Sequence, residues 1–116
     1  MGAKEPKLLS LADLKVSETA ARFEGRDHGA QMSFFVTDHP PGARVPRHHH
    51  PYEEVFIVRE GTATFTVDGD ELEAAAGRVV IVPPRTPHGF ANNGDGPLKL
   101  VSIHPQDHVE QEWLEG

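Results

Sequence analysis

Cysteine is absent from this chain, which excludes disulfide bonds and thiolate metal ligands together. Basic residues are scarce as well: 11 Lys and Arg stand against 18 Asp and Glu, for a net charge of −7 and a pI near 5.5. Phosphate backbones call for a basic stripe, so nucleic acid is excluded as a partner. No apolar run approaches the length of a membrane span, and Met1 to Ser10 lacks the apolar centre of a secretory signal. Pro6 stands where a myristoylation motif would carry Ser or Thr. The expected setting is the cytoplasm, with no membrane partner. No linker, repeat or low-complexity segment divides the 116 residues, so one domain is expected. Its parts are an N-terminal arm over about 1–20, a barrel over about 21–104 and a tail over 105–116.

What is present is the punctuation of a β protein. Ten prolines and eleven glycines cut the chain into short segments, and only residues 8–14, with Leu8, Leu9, Leu11 and Leu14, suggest a helical turn or an extended arm. Strands are expected over 21–24, 30–37, 62–67, 71–73, 89–91 and 98–103. Asp68-Gly69 marks a hairpin between two of them. Residues 55–58 and 79–82 are continuous apolar runs, the pattern of strands covered on both faces. Pro83-Pro84 ends the second.

Two stretches carry the chemistry. The first, from Gly42 to Gly61, contains His48, His50 and Glu54; the second, from Gly77 to Asn92, contains His88. Side chains alternate along a strand, so His48 and His50 share a face while His49 points away. Glu54 keeps the same phase, and His88 arrives from another strand beyond the proline bend. Three neutral imidazoles and one carboxylate suit a divalent transition metal. Iron or manganese is favoured, with zinc, nickel, cobalt or copper as alternatives.

The two stretches resemble the motifs of the cupin superfamily. Gly42, His48, His50, Glu54 and Gly61 fill the places of the first motif without insertion, and Gly77, Pro83, His88 and Asn92 those of the second. Arg85 departs from the pattern, standing where the family has a glycine. The resemblance covers nearly half the chain and implies an all-β fold, the double-stranded β-helix or jelly-roll barrel. It also implies that His48, His50, Glu54 and His88 bind one metal inside that barrel.

Side-chain phase from Glu54 places Phe56 and Val58 toward the interior, as candidates to line a substrate pocket, and turns Val55 and Ile57 outward. Arg85 either reaches the barrel mouth to pair with a substrate carboxylate or is a solvated loop cation. His49, Arg47 and Glu53 are expected outside. His28, His39, His104 and His108 have no partner at ligand spacing and are not counted among the site residues, His104 at the end of a strand included.

Four protein ligands leave coordination positions open, the mark of a catalytic site. The expected function is a metalloenzyme of the dioxygenase type acting on a small oxygen-rich molecule. The alternatives are a metal-dependent isomerase, lyase or decarboxylase, and a non-catalytic barrel that binds a small ligand as sensor or carrier. The outward Val55 and Ile57, with the arm leucines and Trp113-Leu114 in the tail, point to a homodimer.

Overall fold

The computed structural model describes residues 5–115. Its strands are β1 (Lys15–Ser17), β2 (Ala20–Glu24), β3 (Ser33–His39), β4 (Arg44–His49), β5 (Glu54–Glu60), β6 (Thr62–Val67), β7 (Asp70–Ala75), β8 (Val79–Val82), β9 (His88–Ala91), β10 (Leu98–His104) and β11 (Glu112–Trp113). Helical structure among the described residues is confined to 3-10 turns at Leu11–Leu14 and Gly25–Asp27. All strand pairs are antiparallel. A six-stranded sheet runs β1-β2-β3-β10-β5-β8, and a five-stranded sheet runs β11-β4-β9-β6-β7. The all-β jelly roll expected from the sequence is the fold.

Alternation builds the core. Phe56 and Val58 of β5, Val80 and Val82 of β8, and Leu98 and Leu100 of β10 all turn inward from one sheet. They meet Ala63, Phe65, Ala74 and Phe90 from the other. Phe56 and Phe65 pack edge to face with centroids 4.9 Å apart. Deleting such a buried ring typically costs about 3–5 kcal/mol. The hairpin between β6 and β7 turns on Asp68 and Gly69, whose φ values of 50° and 86° fit a primed turn. Gly61 also has positive φ, and a Cβ there would strike the Pro97 carbonyl.

Two sequence expectations change. The strand expected from residue 30 begins at Ser33, because Ala30 N–H bonds back to the Gly25 carbonyl and the chain is still turning. More consequential, 79–82 is not covered on both faces. β8 lies at a sheet edge, where Val80 and Val82 are buried but Val79 and Ile81 are 58% and 64% exposed. Val55 and Ile57, directly opposite them on β5, are only partly covered. The arm does not close this face. Its Leu8, Leu9 and Leu11 are themselves exposed, and β1 sits at the opposite edge of the sheet.

Candidate metal centre

The barrel brings the four sequence-identified ligands together. One donor atom from each of His48, His50, Glu54 and His88 lies within 4.8 Å of the others, and all four residues are buried. Strand register explains the convergence. His48 on β4 sits directly across from His88 on β9, while Glu54 opens β5 in the facing sheet. His50 follows β4 by one residue and retains the inward phase of His48.

Each histidine is held by a backbone carbonyl. His48 Nδ1 donates to Pro46 O at 2.9 Å, His88 Nδ1 to Thr86 O at 2.8 Å, and His50 Nδ1 to Glu110 O at 3.0 Å. A neutral imidazole with its proton on Nδ1 presents a lone pair at Nε2. The Nε2 atoms of His50 and His88 lie 2.6 and 3.0 Å from Glu54 Oε1. Lone pairs therefore face a carboxylate oxygen in a buried place, an arrangement that a cation at their centre completes. Carbonyl-oriented imidazoles are the usual support of a metal site. The residues fit a divalent ion.

Electrostatics agree. Burial would raise the Glu54 carboxyl, but the His104, His50 and His88 imidazoles set against it outweigh that effect and hold the group well below the usual carboxylate range. Burial pushes His48 down to about 4, against the opposing pull of the Pro46 carbonyl. At neutral pH the site thus offers an ionised carboxylate and an uncharged His48.

A fifth imidazole stands beside these four. His104 is 1% exposed, and its Nε2 lies 3.1 Å from Glu54 Oε2, without a well-aligned hydrogen-bond partner among the described residues. Its Nδ1 is 2.6 Å from the Tyr52 hydroxyl, which accepts from Glu110 N–H at 3.2 Å. That leaves the phenol proton for His104 Nδ1 and places the imidazole proton on Nε2, facing Glu54. Burial raises Tyr52 to about 12, so the phenol keeps this proton. Ligand spacing could not find His104. Strand phase could, because Leu98, Leu100, Ser102 and His104 all turn inward along β10.

The C-terminal tail closes one side. β11 pairs with β4, Trp113 lies across from His48 with rings 4.7 Å apart, and Leu114 N–H donates to Arg47 O at 2.8 Å. His49 points out of the barrel and contacts Glu112 at 3.2 Å. A cavity of about 250 Å³ opens beside His48 and Glu54. Phe56 lines it, whereas Val58 is wholly buried in the core and Arg85 borders a different hollow with His49 and Glu112. Arg85 has φ of 59°, and its N–H donates to His50 O at 2.7 Å. The glycine slot is thus a left-handed backbone position that the arginine occupies under strain. Asn92 is structural: its side chain donates to His39 O and Gly96 O, both at 2.9 Å.

A buried cluster of three histidines and a glutamate inside an antiparallel jelly roll defines a barrel equipped for a metal ion. The Cupin domain family matches residues 35–104, and the chain belongs to the cupin family. It is 33% identical over 90 residues to an uncharacterized protein of Methanocaldococcus jannaschii, covering 75% of this chain and 72% of that one. It is 30% identical to the HTH-type transcriptional regulator PuuR of Escherichia coli over 69% of this chain and 43% of the regulator. Among solved structures, oxalate decarboxylase of Bacillus subtilis, studied for its Mn(II) centres, superposes with a TM-score of 0.78 at 27% identity. That match covers 90% of this chain but only 31% of the decarboxylase.

No helix among the described residues is long and apolar enough to cross a membrane.

Proposed function

We propose that this protein is a metal-dependent enzyme of the dioxygenase type acting on a small oxygen-rich molecule, with one divalent ion, iron or manganese, held by His48, His50, Glu54 and His88. The observation that carries this reading is the set of four buried donors within 4.8 Å, beside a cavity large enough for a small substrate. When bound, the ion supplies Lewis acidity and, for iron or manganese, one-electron chemistry. The chain's own residues orient the ligands through the Pro46, Thr86 and Glu110 carbonyls, and apolar walls limit water around a bound molecule. The test is metal analysis of protein purified without chelator or nickel resin, followed by substrate-dependent oxygen uptake with diketones, phenolics and sugar derivatives. Bound metal with oxygen consumption supports the reading; metal-free protein that cannot be loaded overturns it.

The likeness to a manganese-containing oxalate decarboxylase favours a second reading, metal-dependent lyase or decarboxylase chemistry. Product formation without net oxygen consumption would select it. Metal binding with no turnover would instead support a sensor or carrier barrel.

A further inference from the structure

The cavity wall specifies the ligand more narrowly than the metal cluster does. Phe35, Phe56, Phe90, Leu100 and Trp113 make it predominantly apolar, and no lysine or arginine among the described residues lines it. His39, on the same wall, is kept toward its neutral form by burial, despite the opposing pull of Asp38. At ~30 Å³ per water in the liquid, the cavity holds roughly eight water-sized groups.

Charge decides between candidate ligands. A divalent ion among uncharged imidazoles and the Glu54 carboxylate leaves one net positive charge. A ligand with one negative charge neutralises it. A dianion leaves a surplus negative charge against aromatic walls, where an unpaired buried charge is strongly disfavoured. Thr37, Ser102 and Gln111 add polar groups to the wall, and buried His104 sets its Nε2 beside Glu54 Oε2, 3.1 Å away, without well-aligned geometry.

Resting on the metal-site reading above, we infer that this pocket takes a small chelating oxygen ligand of single negative charge and apolar body, such as an enolised 1,3-diketone, and rejects dicarboxylates of the oxalate type. The ligand's oxygen end faces the four-donor cluster. Trp113 covers its apolar end from the tail.

The experiment uses the full chain loaded with cobalt(II), whose visible absorption reports its coordination. Acetylacetone and oxalate are titrated separately at pH 7, each affinity normalised to that for aqueous cobalt. The expected result is at least a tenfold preference for acetylacetone. Trp113→Ala, at the half-exposed rim, should weaken acetylacetone several-fold and leave oxalate unchanged. Thr37→Lys, which brings a cation to the wall, should raise oxalate affinity at least tenfold. Oxalate bound equally or more tightly by the unaltered protein overturns the inference, as does cobalt-loaded protein that binds neither ligand. Failure to acquire the cobalt spectrum overturns the metal-site reading itself, so the two failures are distinguishable.

Discussion

The imidazole of His50 donates through Nδ1 to the carbonyl of Glu110, sixty residues further along the chain, at 3.0 Å. His48 and His88 are oriented by carbonyls only two residues before them. One of three candidate ligand imidazoles is therefore set by the tail, which β11 and the Leu114–Arg47 hydrogen bond hold against β4. Removing residues 107–116 should lower metal affinity by about 10–100-fold, the usual effect of losing an outer-sphere partner, with the barrel still folded. Competition titration against a chelator measures this; unchanged affinity would show that His50 orients itself.

Replacing His50 with Ala should abolish stoichiometric metal binding, since it removes one of four converging donors. His49→Ala should leave binding intact, because that ring points outward to Glu112. Metal analysis after dialysis, with circular dichroism to confirm folding, separates the two. Equal loss in both variants would contradict the assignment.

Acid should destabilise the metal-free protein. Burial holds His48 at about 4 in the fold, whereas an unfolded histidine titrates near about 6.5. Between those values the unfolded chain binds the extra proton, so stability falls as pH falls through the window and levels below about 4. His39, also lowered by burial, acts in the same direction. Melting temperatures measured from pH 7.5 down to 4.5 should decline, and a flat profile would refute the neutral, buried state of these rings.

Arg85→Gly should retain metal binding and stabilise the fold. A non-glycine residue in the left-handed region costs roughly 1–2 kcal/mol, and glycine's extra chain entropy returns about 0.5–1 kcal/mol of that. The expected net gain is of order 0.5–1 kcal/mol, a rise of about 2–4 °C in Tm for a chain of this size. A fall in Tm would show that the arginine side chain stabilises the bend.

We propose assembly as a homodimer through the outer face of the six-stranded sheet. Val79 and Ile81 are exposed there, beside partly covered Val55, Ile57, Val101 and Ile103. The other sheet turns Thr66, Glu71 and Glu73 outward. Light scattering at micromolar concentration should give twice the chain mass, and Val79→Glu with Ile81→Glu should halve it. A monomer mass for the unaltered chain would end this proposal. Deleting the first fourteen residues then tests whether the arm contributes.

The sequence by itself determined the barrel and the four candidate ligands. His48, His50 and Glu54 are spaced by even numbers near strand positions, and period-two alternation turns local spacing into a shared direction. The same alternation placed Phe56 inward and His49 outward. Tertiary structure alone decided what surrounds the cluster. His104 reaches Glu54 because β10 pairs beside β5, and Trp113 reaches His48 because the tail returns as β11. No local spacing encodes either meeting. Nor does an apolar run such as 79–82 reveal whether both its faces are covered, because hydrophobicity specifies a preference for burial, while the partner that provides it depends on where the strand lies in the sheet.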